Sequence, residues 1–144
     1  MSENSRGGML VRAIETCIKP DDAALAGLGT LFTDDVTAWS PNLLAVGLDD
    51  LARNLASREA TFSDVGIDVT SVGIIGNKGF AEFQVVATFS GPFVINDTVA
   101  LEPNGRQLLL GAAVIADFTG DKISSIRAYF DDATLLEQML SEKV

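Results

Sequence analysis

Residues 108–130, LLLGAAVIADFTGDKISSIRAYF, give the clearest indication of the fold, because they contain two apolar runs separated by a turn. Both runs, residues 108–118 and 123–130, contain β-branched or aromatic side chains and have the length of β-strands. Between them, Thr119-Gly120-Asp121-Lys122 has the composition of a tight turn. Strands that a tight turn connects pair antiparallel. This stretch therefore predicts a β-hairpin.

A second hairpin is predicted upstream of the first. Residues 66–75 and 80–90 are rich in Val, Ile, Phe and Thr, and Gly76-Asn77-Lys78-Gly79 lies between them as a turn. A loop over residues 91–105, with two prolines, joins the two hairpins. Together the four strands predict an antiparallel meander.

Helical periodicity precedes and follows these strands. Four helices are predicted. The first covers residues 9–18, and the second begins at a cap formed by Asp21 or Asp22 and ends at Asp34-Asp35. The third covers residues 48–58, and the fourth is a terminal helix capped by Asp131 or Asp132. A short extended segment over residues 36–40 separates the second helix from the third. Helices gathered at the ends of a run of antiparallel strands cover one face of the sheet, which is an α+β fold.

Length and composition restrict the class of protein. The 144 residues fit one domain, which we assign to residues 9–144, after a polar tail over residues 1–8 that we expect to be flexible. The net charge of −10 disfavours nucleic acid and anionic membranes as partners. The tail lacks the apolar segment of a signal peptide, and the lone cysteine, Cys17, cannot form an internal disulfide. We therefore expect a cytoplasmic protein.

Metal and cofactor sites are not expected. The chain has no histidine, and no further acid stands near Asp34-Asp35 in sequence to complete a metal site. Gly73, Gly76 and Gly79 resemble a phosphate-binding loop only superficially, since they lie between two strands rather than between a strand and a helix. We expect no metal and no organic cofactor.

Alternation along the strands separates an apolar face from a polar one, because side chains two residues apart share a face. The apolar face lies under the helices and predicts a pocket. Its expected lining is Ala38, Trp39, Ser40, Phe83, Val85, Ala87, Ala112, Val114, Ile126, Ala128 and Phe130. For Trp39, packing against a helix or a partner subunit is the alternative. The polar face predicts the contact surface of a homodimer, formed by Glu82, Asp117, Arg127 and Tyr129.

Three stretches resemble one superfamily. They are Leu31-Phe32-Thr33-Asp34-Asp35-Val36-Thr37, then Thr88-Phe89-Ser90-Gly91-Pro92-Phe93 with Asn104-Gly105-Arg106, and finally Gly120-Asp121-Lys122-Ile123 with Ile126-Arg127-Ala128-Tyr129-Phe130-Asp131. Through them the chain resembles the nuclear transport factor 2-like superfamily, in particular its SnoaL-like and ketosteroid-isomerase-like members. The resemblance implies a cone-shaped curved antiparallel sheet with N-terminal helices and a C-terminal helix, the SnoaL-like or cystatin-like roll, with its pocket on the concave face.

The resemblance also implies where catalytic acids would lie. The base of ketosteroid isomerases falls on Ser40, and their oxyanion-hole acid falls near Val114. The last-strand acid of limonene-epoxide-hydrolase-like members falls on Ala128. None of these side chains supplies a carboxylate. The acid–base aspartate of SnoaL-like cyclases is nearest to Asp131, which is equally well placed to cap the terminal helix.

The sequence leaves three functions open. The first is binding of a small hydrophobic molecule in the apolar pocket, without catalysis. The second is a SnoaL-like cyclase, isomerase or hydrolase that acts on a polyketide- or steroid-like compound, with Asp131 transferring the proton and without a cofactor. The third is an accessory protein that uses the sheet only for dimerisation.

Overall fold

The computed structural model describes residues 5–142, so residues 1–4 of the predicted tail, and residues 143–144, lie outside the described part. The helices are α1 (Arg6–Ile18), α2 (Asp22–Ala26), α3 (Leu28–Leu31), α4 (Leu48–Ala56) and α5 (Asp132–Leu140). The strands are β1 (Phe32–Ser40), β2 (Leu43–Val46), β3 (Phe62–Ile75), β4 (Lys78–Phe89), β5 (Phe93–Val94), β6 (Ala100–Leu101), β7 (Gln107–Thr119) and β8 (Lys122–Tyr129). Within residues 5–142, no helix is long and apolar enough to cross a bilayer.

Six strands form one sheet in the order β2-β1-β8-β7-β4-β3, and β5 pairs with β6 in a separate ribbon. The two predicted hairpins are present as β3–β4 and β7–β8, and β4 pairs antiparallel with β7 as a meander requires. The register shifts between Asp117 and Phe118 in β7, and at two points along the β3–β4 pair. Such irregularities bend and twist strands, and they account for the curvature of the sheet.

One strand pair differs from the expectation. Strand β1 runs parallel to β8, so the sheet is mixed rather than wholly antiparallel. These are the first and last strands of the sheet in sequence, and no hairpin constrains them to run in opposite directions. The α+β class, with helices before the meander and one after it, is confirmed.

Two element boundaries correct the sequence-based expectation. Ser5 caps α1 by accepting a hydrogen bond from the Gly8 N–H at 3.0 Å, so residues 6–8 belong to the helix rather than to a flexible tail. Strand β1 begins at Phe32, which places Asp34-Asp35 within a strand instead of at a helix end. Strand β2 was not predicted, because four residues are too few to show an alternating pattern.

The second and third predicted helices are also shorter than expected. Asp21 caps α2 by accepting a hydrogen bond from the Ala24 N–H at 2.9 Å, and Gly27 separates α2 from α3. Helix α4 ends at Ala56, so Arg58 lies in the turn that follows it. That turn brings the Arg58 side chain to the cavity described below.

The core lies between the helices and one face of the sheet, which we call the inner face; the opposite face is the outer face. Strand β4 shows the predicted alternation, since every second residue from Gly79 to Phe89 is buried. The largest fully buried side chains are Phe32, Phe89, Leu10, Leu28, Leu51, Ile123, Val36 and Thr61. A second apolar cluster joins α5 to the sheet and consists of Phe89, Phe93, Leu108, Leu135 and Met139.

Side-chain amides hold α5 against β7. The Gln138 Nε2 donates to the Leu109 carbonyl at 3.0 Å, and the Gln138 Oε1 accepts from the Leu109 N–H at 2.8 Å. Asn104 Nδ2 donates to the carbonyls of Gln138, at 2.8 Å, and of Met139, at 3.1 Å. Because Asn104 is buried, these bonds satisfy its amide and fix the end of α5.

Candidate functional site

A cavity of about 210 Å³ lies between the inner face and the helices. Its walls include all eleven residues that alternation and position predict for the pocket, namely Ala38, Trp39, Ser40, Phe83, Val85, Ala87, Ala112, Val114, Ile126, Ala128 and Phe130. The helices close the cavity from the other side with Ile14, Cys17, Ile18, Leu51 and Leu55. The structure thus brings the predicted set together around one space.

Small residues on adjacent strands create this space. Ala112 of β7 pairs with Phe83 of β4, and Ala128 of β8 pairs with Val114 of β7. A methyl group extends less far from the sheet than the larger side chains beside it, and a close-packed interior has few other ways to leave a void. The position and size of the cavity therefore follow from where alanine alternates with larger residues.

Trp39 borders the cavity, but its ring contacts the outer face. The ring centroids of Trp39 and Tyr129 are 5.4 Å apart, with an angle of 49° between the planes. In the sheet, Trp39 pairs with Leu44 of β2 and with Arg127 of β8. The residue is 42% exposed. The indole therefore packs in the outer-face layer, next to Tyr129, rather than projecting into the cavity.

Asp131 is not among the residues that line the cavity. Its Oδ1 accepts a hydrogen bond from the Thr134 N–H at 3.2 Å, and its Oδ2 accepts one from the Thr134 hydroxyl at 2.8 Å. These two bonds hold the pKa of the exposed Asp131 carboxyl below its usual range. The side chain is the N-cap of α5, so the predicted acid–base group lies outside the cavity in this structure.

Arg58 lines the cavity and was not singled out from the sequence. Its Nη1 donates to the Asn42 Oδ1 at 2.9 Å, and its Nη2 donates to the Asn42 carbonyl. The guanidinium carbon lies 4.8 Å from the centre of the Phe93 ring. One signal in the sequence could have found it: Leu51, Leu55 and Arg58 have the i, i+4, i+7 spacing of one helical face.

Arg58 is partly buried, and this changes its electrostatics. Burial lowers the pKa of Arg58, while the negative charge of Asp132 acts in the opposite direction. The usual pKa of a guanidinium is so high that the side chain stays protonated. The cavity wall therefore carries a permanent positive charge.

A small polar group surrounds this cation. The Ser40 hydroxyl donates to the Asn42 Oδ1 at 3.1 Å, and the Asn42 N–H donates to the Ser40 Oγ at 3.3 Å. Both residues line the cavity beside Arg58. They form the turn between β1 and β2, so the polar end of the cavity is built where that turn meets the turn after α4.

The cavity also contains the thiol of Cys17. Burial raises the pKa of this thiol to about 12, because the apolar surroundings disfavour the thiolate. A thiol that remains protonated is a poor nucleophile and a poor metal ligand. Within residues 5–142, no group of three or more Cys, Asp or Glu side chains is placed to hold a metal ion.

The four residues predicted for a dimer contact lie on the outer face. Asp117 accepts from the Lys78 Nζ at 2.5 Å and from the Arg127 Nη1 at 2.8 Å. These two bonds hold the pKa of Asp117 below its usual range. Glu82 pairs with Ala113 across the sheet, which also places Glu82 near Tyr129 on this face.

The family comparison covers almost the whole chain. A family model for SnoaL-like polyketide cyclases matches residues 8–139. No curated protein matches the sequence.

Solved structures share the fold at low sequence identity. A SnoaL-like protein from Jannaschia sp. CCS1 is 12% identical, with a TM-score of 0.77, over 96% of this chain and 97% of that one. A protein with a ketosteroid isomerase-like fold from Catenulispora acidiphila is 17% identical, with a TM-score of 0.72, over 94% of each chain. An epoxide hydrolase of the LEH-like type from M. tuberculosis is 12% identical, with a TM-score of 0.65, over 94% of this chain and 92% of that one. With the family match over residues 8–139, the chain belongs to the SnoaL-like polyketide cyclase family.

Proposed function

We propose that this SnoaL-like domain binds a small hydrophobic molecule in its cavity without transferring protons to it. One observation carries the proposal: among the described residues that line the cavity, none is Asp, Glu or His. General acid–base catalysis needs a titratable group within hydrogen-bond reach of the reacting atom. The apolar walls can bind, whereas the described lining offers no carboxylate or imidazole for proton transfer.

The cavity volume favours a compact ligand. At about 210 Å³ it exceeds an engineered cavity of about 150 Å³ that binds benzene. It is smaller than the roughly 300 Å³ at which pockets for drug-sized ligands begin. The expected ligand therefore has one ring, or a short branched chain, within the enclosed part of the cavity.

Calorimetric titration tests this proposal. A panel of neutral one-ring compounds, such as benzyl alcohol, toluene and phenylacetamide, is titrated into the protein at several temperatures. We expect saturable binding with a negative heat-capacity change, because apolar surface is buried on binding. Absence of saturable heat and of any rise in melting temperature, across the whole panel, contradicts the proposal.

The alternative proposal is an enzyme: a cyclase, isomerase or hydrolase acting on a polyketide- or steroid-like compound. The family match favours it, since the matching model describes polyketide cyclases. In this proposal Asp131 is the acid–base group, and its carboxylate leaves Thr134 to reach the substrate. Turnover that disappears in Asp131→Asn, at unchanged melting temperature, supports the enzyme. Turnover that survives this substitution removes Asp131 from the chemistry.

We further propose that the outer face is the contact surface of a homodimer in the cytoplasm. Apolar side chains are exposed there, with Leu44 at 67%, Tyr129 at 45% and Trp39 at 42%. The face also carries charges of both signs at Asp117 and Arg127, which suits self-pairing about a two-fold axis. Sedimentation equilibrium is expected to give twice the chain mass, and to give a monomer for Tyr129→Glu. A monomeric parent protein contradicts the dimer.

A further inference from the structure

The cavity wall carries one charge in the part of the chain that the structure describes. Of the residues that line it within residues 5–142, only Arg58 is ionised at neutral pH. A cation in the wall does not help a cavity to bind a purely hydrocarbon ligand, because removing water from a charge costs free energy. The presence of Arg58 therefore calls for an explanation beyond packing.

The partners of Arg58 in the structure are all neutral. Two of its N–H groups donate to Asn42, and its guanidinium carbon lies 4.8 Å from the centre of the Phe93 ring. No described carboxylate forms an ion pair with it. A guanidinium has five N–H groups, so the remaining ones are available to a further acceptor.

Asp132 compensates this charge only from a distance. Its charge raises the pKa of Arg58, but the two side chains form no ion pair. The Asp132 Oδ1 is buried and accepts no hydrogen bond from any residue within 5–142. Buried cations in proteins are normally paired with an anion. Arg58 is thus a partly buried cation without a directly contacting counter-ion among these residues.

We propose that Arg58 is an anion-binding subsite of the cavity and that the natural ligand is a small apolar carboxylate. This inference rests on the proposed binding function and deepens it by naming the ligand class. The planar guanidinium matches the geometry of a carboxylate, to which it donates two parallel hydrogen bonds. Asn42 and Phe93 hold the guanidinium in place, so little side-chain freedom is lost on binding. The apolar body of the ligand then fills the space beside Ala112 and Ala128.

A matched ligand pair tests the subsite. Phenylacetate and phenylacetamide have nearly the same size and differ in charge. We expect the parent protein to bind phenylacetate at least about tenfold more tightly, which corresponds to about 1.4 kcal/mol. Arg58→Gln is expected to abolish this preference while leaving the affinity for phenylacetamide within about a factor of two. Arg53→Gln is the control, because Arg53 lies in α4 just before the turn that carries Arg58, has a side chain that is 72% exposed and pairs only with Asp50 among the described residues.

Two further variants keep the test decisive if Arg58→Gln does not fold. Arg58→Lys retains the charge but not the fork of donors, so it is expected to keep a reduced preference for phenylacetate. Asp132→Asn removes a nearby negative charge and is expected to strengthen phenylacetate binding without changing phenylacetamide binding. Unchanged phenylacetate binding in both variants overturns the subsite.

The possible failures are distinguishable. If the two ligands bind the parent protein equally, or if the preference survives in Arg58→Gln, the anion subsite is wrong and the apolar binding function stands. If neither ligand binds, and the neutral panel also fails, the binding function itself is wrong. Loss of the preference in Arg53→Gln overturns the assignment to Arg58, because it makes the effect one of overall charge.

Discussion

Replacing Ala112 by leucine tests whether the cavity is usable space. Ala112 lines the cavity from β7, and the added carbons project from the inner face into it. The neighbouring residue, Ala113, faces the other way, since it pairs with Glu82 and with Tyr129 on the outer face. Ala113→Leu is therefore a control with the same chemical change on the same strand.

The expected gain in stability follows from the volume. The cavity of about 210 Å³ has room for the three carbons that leucine adds, so the new side chain can be buried without displacing its neighbours. Leucine adds three carbons, each worth about 0.8 kcal/mol when buried, which sets an upper limit of about 2.4 kcal/mol. Imperfect fit reduces this gain. We expect Ala112→Leu to raise the free energy of unfolding by about 1–2 kcal/mol, and the melting temperature by roughly 5 °C.

The assay combines stability with ligand response. Thermal unfolding is measured for the parent protein, Ala112→Leu and Ala113→Leu, with and without a ligand at 100 times its dissociation constant. The parent is expected to gain about 2.7 kcal/mol from the ligand, and Ala112→Leu much less, because its side chain occupies the same space. Ala113→Leu places the same added carbons on the outer face, leaves the cavity intact and is expected to respond fully to the ligand. Destabilisation by Ala112→Leu, or an undiminished ligand response in that variant, contradicts a cavity that can hold either a side chain or a ligand.

Three further predictions concern the scaffold. In Gly91→Ala the new Cβ would lie 1.9 Å from the backbone oxygen of Ala60, so we expect the free energy of unfolding, measured in urea, to fall by about 3 kcal/mol or more. Gly111→Ala is the control, because its Cβ meets open space, and its free energy of unfolding should change by less than about 0.5 kcal/mol. Capping lowers the folded-state pKa of Asp131, so its contribution to stability is present above the unfolded-state pKa and is lost as the pH falls through the folded-state pKa. Asp131→Ala should therefore lower the free energy of unfolding at neutral pH. In acid unfolding, the stability of this variant should decrease less steeply with falling pH than that of the parent protein. Burial raises the pKa of Cys17 to about 12, so iodoacetamide at pH 8 should label it far more slowly in the folded protein than in urea, and equal rates would contradict the raised pKa.

Much of the fold could be predicted because its determinants are local. The β3–β4 and β7–β8 hairpins follow from turn composition and from alternating side chains, both of which a short window of sequence contains. The direction of β1 beside β8 is different, since paired residues of the two strands are about ninety positions apart in sequence and no local pattern specifies how they pair. Strand β2 escaped prediction for a related reason: it exists only because β1 offers an edge on which it can pair.

Strand alternation could predict only the part of the site that lies on the sheet. Positions such as Phe83, Val114 and Ala128 line the cavity because every second residue of a strand shares a face. Arg58 escaped because it follows a helix end, where the direction of the chain depends on the tertiary fold. For Asp131 the sequence allowed two interpretations, a proton-transfer group or the cap of the terminal helix. In the structure it is the cap, because the start of α5 has a free backbone N–H, that of Thr134, from which the Asp131 carboxylate accepts a hydrogen bond.

The apolar walls of the cavity and the Arg58 cation act together in ligand binding. A charge interaction gains strength as the surrounding dielectric constant falls, and beyond Ser40 and Asn42 the cavity wall that Arg58 faces is mostly apolar. A ligand that is only a carboxylate would gain little free energy from leaving water. A ligand that is only an apolar ring would bind without a fixed orientation in the cavity. A ligand that has both parts satisfies both features of the site, because burial of the ring excludes water from the ion pair. The selectivity for phenylacetate over phenylacetamide should therefore shrink in Ala112→Leu, where the ring no longer fits, even though Arg58 is unchanged.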